Sequence, residues 1–427
     1  MKETGRKTQL YNWHVQQGAN MARFGHYDMP LWYRAGAKSE HLAVITAAGL
    51  FDTSHMSTVV LEGSGARSLL QHCFSKDLQG CIGKGQRPLA AGRSVYGVFL
   101  AENGAVMDDA IVFQLHDRLF LVVVNSGMGP QISAHLRSHS ESGGGSVEIS
   151  DLSDALGKLD VQGPASAKIL ARVLAEPDRV FAGLPYFSFK GHFDAASPLS
   201  ETVKTVDGTP LLLSRTGYTG EFGFEIFVQP SHFVGLWEQI LAAGRGLELL
   251  PCGLAARDSL RTGAVLPLSH QDIGAWPFIH NPWQFALPYD DRRSGFTKQF
   301  VGSDALLHCQ DAMHTFPFAG SDLRKVTVAD STTVLDAAGE PIGTVSTCAT
   351  DMAIGRHNGR IFSIASTDQP EEFQPRGLCC GFVKVDRPLR PGTTVRLKDS
   401  RRSIEVEIVT DIRPARTARR NLSQFLP

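Results

Sequence analysis

The sequence predicts an α+β fold that ends in a small β-barrel. Three observations carry this expectation. Strand-like runs alternate with helix-like segments over the first two-thirds of the chain. A hairpin pattern stands at residues 93–113, where two apolar runs flank Asn103-Gly104. From about Thr315 the character changes to short strands broken by turn residues. At 427 residues the chain is too long for one small domain. The expected division is an α+β region over residues 1–312 and a barrel over 313–427.

Three helices follow from spacing and turn residues. Ala66 to Cys73 has Leu69 and Leu70 as its apolar positions, and Ser166 to Ala175 follows the Gly163-Pro164 turn. His232 to Ala243 places Phe233, Leu236, Trp237, Ile240 and Leu241 at helical spacing. The glycines at 143–145 read as a loop or strand lead-in. In the C-terminal part, KVTVADSTTVLDAAGEPIGTVSTC, PGTTVRL and IEVEIV read as barrel strands, and 352–381 as an inserted hairpin and loop.

The hairpin reading has chemical consequences. A strand over Arg93–Ala101, a two-residue turn at Asn103-Gly104 and a return strand over Ala105–Phe113 pair Glu102 with Ala105. Val98 then faces Asp109, and Tyr96 faces Ile111. Alternation puts Tyr96 and Asp109 on one face and Asp108 on the other, beside Phe99. A one-residue slip would reverse this. Asp109 shares its face with Tyr96, Ile111 and Phe113, an apolar setting that raises a carboxyl pKa and suits proton transfer. An ordinary solvated strand end is the competing reading for the Asp108-Asp109 pair.

Two further segments place charge among apolar residues. In SRTGYTGEFGFEIFV, Glu225 lies between Phe224 and Ile226; in GLAARDSLRTGAVLPL, Arg257 opens a helix-like run. Such groups are costly unless paired. Either they satisfy each other or they meet a polar ligand.

Composition sets the outer bounds. Lys plus Arg (42) nearly balance Asp plus Glu (43), so no global field favours nucleic acid or an anionic membrane. The basic run RRSIEVEIVTDIRPARTARR reads as a solvated strand and tail. Seven scattered cysteines form no CxxC pair, and no His/Cys group shows metal-ligand spacing, so reduced thiols and no metal are expected. MKETGRKTQLYNW lacks a secretion-signal core and no apolar run approaches ~20 residues, which suits a cytoplasmic protein.

The motif wording is similar to that of a known family. RTGYTGE-x-GFEI with GL-x-ARD-x-LR, the opening LYNWHVQQGANMARFGHYDMPLWY, EHLAVITAAGLFDTSHM (Glu40 to Met56), VYGVFLAENGAVMDDAIVF, FLVVVNS and VQGPAS occur in family order. They resemble the aminomethyltransferase (T-protein) of the glycine cleavage system and its tetrahydrofolate-dependent relatives. The resemblance implies a three-lobed ring around a central folate cavity, tetrahydrofolate as one-carbon acceptor, and a lipoyl carrier protein as donor partner. It makes Asp109 the essential carboxylate and Glu225 the pterin-binding acid. Arg257 orients the site, and Tyr96, Tyr218, Tyr186, Met56 and Asn125 line the pocket.

Three departures from the family wording stand out, and the resemblance puts the last of them near the donor side. Ile45 stands where the family has arginine, and Phe222 where it has an acid. The P-x-EA-x-L-x-W block becomes AWPFIHNPWQFALP. Trp276, His280 and Trp283 there suggest an aromatic cage for a methylated cation, against a packing role for both tryptophans. A demethylase of a small sulfonium, amine or ether donor is thus the enzyme alternative. A non-catalytic folate-binding assembly factor is a third reading; its cysteine motif KGCY-x-GQE is absent from the sequence. The nearest dinucleotide-like string, GSGARS at Gly63, lacks the third glycine.

Overall fold

A computed structural model describes residues 5–426, leaving residues 1–4, where the sequence read for a secretion signal begins, outside the described residues. Three sheets organise the chain. The first is five-stranded and antiparallel, in the order Arg93–Leu100, Val106–His116, Leu119–Val124, Ser57–Glu62 and Glu148–Asp151. The second has six strands, ordered Phe189–Gly191, Leu212–Ser214, Gly223–Val228, Gly157–Gln162, Ala48–Asp52 and Leu249–Cys252, with only the last pair parallel. The third is a closed barrel of His314–Ala319, Leu378–Val385, Pro341–Asp351, Thr333–Leu335, Thr394–Lys398 and Ser403–Ile408. The α+β class and the barrel are as expected.

The first two sheets face each other across a shared core. Phe113 meets Phe189 and Phe227 with ring centroids 5.3 and 5.8 Å apart, and Leu121, Val123 and Leu212 fill the remainder. Helices Ala66–Cys73 and Gly129–Ser138 cover the outer face of the five-stranded sheet. Helices Ser166–Ala171 and Pro230–Ala243 cover that of the six-stranded sheet, with Trp237 fully buried. The former of these ends four residues before its expected limit, because Leu174 leaves to bridge Thr205. The latter begins two residues early at Pro230, whose fixed φ suits a first helical turn.

Beyond Ile408 the chain leaves the barrel. Leu422 and Phe425 pack into the core of the six-stranded sheet, and Phe425 stacks on Phe222 at 4.0 Å. This accounts for an aromatic residue at position 222, since an acid there would be buried beneath the tail. Arg413 reaches the Asp351 carboxylate at 2.7 Å, and His41 takes the other oxygen at 3.0 Å. That buried group ties barrel, tail and the Gly36–Thr46 helix together. Within 352–381, Ile354–His357 and Arg360–Ser363 form the expected hairpin.

The Arg93–His116 hairpin departs from expectation at its tip. The loop has three residues, with Gly104 at φ +78° and the Ala101 amide donating to the Ala105 carbonyl. Leu100 therefore faces Val106, one residue out of the expected register. A bulge at Met107 restores it, so that Phe99 faces Asp108, Val98 faces Asp109 and Tyr96 faces Ile111.

Candidate functional site

The restored register sets Tyr96 and Asp109 on one face, and the Tyr96 hydroxyl donates to Asp109 Oδ2 at 2.9 Å. Asp108 departs from its expected place on the opposite face. Asn125, just past the Leu119–Val124 strand, gathers both carboxylates: its side-chain amide donates to Asp108 Oδ1 at 2.7 Å and to Asp109 Oδ1 at 2.6 Å. The Asn125 backbone N–H and the Ser269 hydroxyl complete Asp108, which is fully buried. The bulge one residue earlier bends the strand and relaxes strict alternation there.

Two carboxyl groups held this close cannot ionise independently. Burial, with Asp109 beside it, pushes the Asp108 carboxyl up to about 7. Burial likewise raises Asp109, although the Tyr96 and Asn125 hydrogen bonds oppose the rise. Asp109 keeps partial exposure, whereas Asp108 has none. The accessible member of the pair is thus the one able to meet a ligand, with a raised proton affinity.

The second group lies on the six-stranded sheet. Glu225 and Arg257 do not pair with each other. Glu225 receives Lys158 Nζ at 2.7 Å and the Thr216 hydroxyl, while Arg257 Nη1 donates to Asp160 Oδ2 at 2.8 Å. Lys158 also holds Asp160 Oδ1 at 3.0 Å, and Thr53 donates to that same oxygen at 2.9 Å. Glu225 and Asp160 oppose each other across adjacent strands, so a lysine between them removes like-charge repulsion. Burial, with Arg257 and Lys158 nearby, drives His55 down to about 4, leaving a neutral imidazole whose Nδ1 has no hydrogen-bond partner.

Tyr218 packs on the second group and lies within electrostatic reach of the first. The Arg257 guanidinium lies 4.9 Å from its ring centroid, a cation–π contact, and its hydroxyl donates to the Pro267 carbonyl. Burial raises the Tyr218 phenol, and the Asp109 carboxylate adds to the rise. Tyr186 is partly exposed, with Arg215 and Arg419 over its ring at 6.0 and 5.9 Å. Met56 sits at the edge of the core between the sheets.

The donor-side residues separate. Trp283 is fully buried, donates its indole N–H to the Val265 carbonyl at 2.9 Å and meets the Phe382 ring at 5.1 Å. It is a packing anchor between the hairpin and the barrel. Lys384 covers the Trp276 ring at 3.2 Å, and His280 stacks on His314 at 4.4 Å. Each of the three has its own neighbour, so they form no common cage. The aromatic residue beside the site is Phe285, 53% exposed with its ring 5.8 Å from Tyr96.

Lys158, Asp160, Ser269 and Phe285 were not anticipated. Lys158 and Asp160 had a usable signal, because they are charged positions in the strand-like run GKLDVQ. Ser269 and Phe285 had none. Cys73, His135 and His139 also converge, with ligand atoms within 4.8 Å of one another.

A two-sheet α+β body closed by a barrel thus carries a buried acid pair beside aromatic rings and a bridged acid–base network, the equipment of an enzyme that handles protons. Comparison with known proteins specifies it. The GCVT N-terminal domain family model matches residues 10–277. The aminomethyltransferase of Symbiobacterium thermophilum is 35% identical over 350 residues, covering 81% of this chain and 86% of that protein. The aminomethyltransferase of Streptomyces coelicolor is 36% identical over 356 residues, covering 82% and 87%. The crystal structure of glycine cleavage system aminomethyltransferase T from Bartonella henselae superposes with a TM-score of 0.73 at 25% identity, covering 97% of this chain and 99% of that one. The chain belongs to the aminomethyltransferase family, and is an enzyme of the glycine-cleavage T-protein type. Among the described residues no helix is long and apolar enough to cross a membrane.

Proposed function

We propose that the protein moves a one-carbon unit, presented as an aminomethyl group, onto tetrahydrofolate, and that the folate lies between the Asp109 and Glu225 groups. The observation that supports the reading is the pair of linked groups: Tyr96 bonded to Asp109, and Tyr218, Arg257, Asp160, Lys158 and Glu225 joined in a chain, with the Asp109 carboxylate near enough to raise the Tyr218 phenol. It offers aromatic faces for a flat pterin and carboxylates for its N–H edge.

The chemistry balances without an added oxidant. A lipoyl sulfur carries S–CH2–NH2; the C–N and C–S bonds break as the carbon joins N5 and then N10. The two folate N–H protons pass to the departing ammonia and to the sulfur. In this reading Asp109 relays the proton at the reacting nitrogen, a role its raised proton affinity supports. Asn125 holds it beside Asp108, and Lys158 anchors the Glu225 carboxylate that would meet the pterin edge. Orientation supplies most of the acceleration. Residues 1–312 are read as the folate-binding region and 313–427 as the unit that braces it.

The rewritten 275–288 segment and exposed Phe285 favour one alternative, a demethylase using a small methylated donor. Supplying each donor with tetrahydrofolate separates the two. 5,10-Methylenetetrahydrofolate from an aminomethylated lipoyl carrier supports the proposal; 5-methyltetrahydrofolate from a sulfonium or amine overturns it.

A further inference from the structure

Away from the folate-facing residues, one cluster of side chains has the composition of a metal centre. Cys73 closes the Ala66–Cys73 helix and is fully buried. His135 lies in the Gly129–Ser138 helix and His139 caps that helix's C-terminus, so a four-residue spacing sets both imidazoles on one side. Ligand atoms of Cys73, His135 and His139 lie within 4.8 Å of one another. Around a tetrahedral zinc ion, bonds of about 2.0–2.3 Å place ligand atoms about 3.3–3.7 Å apart. Small side-chain rotations close the difference.

Independent observations point to a ligand. His135 is only 9% exposed, and its Nε2 has no hydrogen-bond partner. A buried polar atom left so is costly and calls for an occupant. His139 Nδ1 donates to the His135 carbonyl at 2.9 Å, which leaves Nε2 as the ring nitrogen with no backbone partner. That outer hydrogen bond is the arrangement that orients metal-binding imidazoles. The C-terminal end of the Gly129–Ser138 helix dipole adds negative potential there. Glu102 Oε1, on the hairpin tip, lies 3.6 Å from His139 Nε2. The His72 ring flanks His139 at 5.4 Å. Burial raises the Cys73 thiol to about 12, and Lys298 opposes that rise in favour of the thiolate.

We propose that Cys73, His135 and His139 bind a zinc ion, with Glu102 as fourth ligand. On binding, the Cys73 S–H bond is lost and its proton leaves to solvent. One Zn–S bond and three dative bonds from nitrogen and oxygen form, with no change in oxidation state. Thiolate and carboxylate together balance the charge of the ion. The site fastens the tip of the hairpin that carries Asp108 and Asp109 to the two helices outside the five-stranded sheet.

The test uses the full chain, without an affinity tag and stripped with a chelator, titrated with Co2+ and then displaced by Zn2+. The expected result is about one cobalt per chain, with visible bands of a tetrahedral ion and a near-ultraviolet thiolate charge-transfer band. Both disappear when zinc is added. Cys73→Ser should lose the charge-transfer band, and His139→Gln, at a partly exposed position, should weaken cobalt binding by at least about tenfold. Absence of stoichiometric binding overturns the proposal. So does an unaltered charge-transfer band in Cys73→Ser, or unaltered affinity in His139→Gln. Neither variant touches a residue assigned to folate.

Discussion

Lys158 lies 2.7 Å from Glu225, and both side chains are withdrawn from solvent. The same ammonium holds Asp160 at 3.0 Å, so one cation bridges two cross-strand carboxylates. The Glu225 carboxylate is therefore held in place by the sheet itself.

Removing that cation leaves Glu225 and Asp160 facing each other with Arg257 on Asp160 and the neutral Thr216 and Thr53 hydroxyls in support. Lys158→Met should cost about 3–5 kcal/mol of stability, the scale for breaking a buried pair from one side. Urea unfolding at neutral pH measures it. A loss below ~1 kcal/mol would show that water or rearrangement replaces the lysine.

The acid pair makes a signed pH prediction. The ordinary aspartate pKa is about 4, and Asp108 is raised to about 7. A raised folded-state value stabilises the protein at low pH, and that contribution is lost as pH rises through the folded value. Between about pH 5 and about pH 8 the wild-type chain should lose about 3 kcal/mol that Asp108→Asn does not lose. Paired denaturant titrations at the two pH values give the difference; parallel curves would refute the shared-proton picture.

Trp283 and Phe285 are two residues apart and should behave in opposite ways. Trp283→Ala empties a core position and should destabilise by about 3–5 kcal/mol without altering donor preference. Phe285→Ala removes an exposed ring and should change stability by no more than ~0.5 kcal/mol, while raising the donor KM. Melting curves with donor kinetics on both variants distinguish the roles. Unchanged donor kinetics in Phe285→Ala would remove that residue from the site.

Much of this arrangement was legible in the sequence because local rules govern it. The Tyr96–Asp109 relation follows from strand alternation and a glycine turn, and it holds because the bulge at Met107 cancels the extra loop residue. The convergence of Asp108 on Asn125 depends on that bulge, which no local pattern announces. Glu225 and Arg257 were recognisable as costly charges, yet their partners come from a third segment, the strand holding Lys158 and Asp160. The Trp276, His280 and Trp283 contacts were hidden because their neighbours Lys384, His314 and Phe382 belong to the barrel. Cys73 meets His135 and His139 only through helix packing on one sheet.

The central claim is a division of labour, with Asp109 managing a proton and Glu225 gripping the pterin. It is tested most directly by measuring tetrahydrofolate affinity and single-turnover formation of 5,10-methylenetetrahydrofolate in Asp109→Asn and Glu225→Gln. The account predicts that Asp109→Asn binds tetrahydrofolate within about threefold of wild type, while turnover falls at least about 100-fold. Glu225→Gln should weaken binding by about tenfold or more, as expected for losing a charge-assisted hydrogen bond. Near-wild-type turnover in Asp109→Asn would contradict the account.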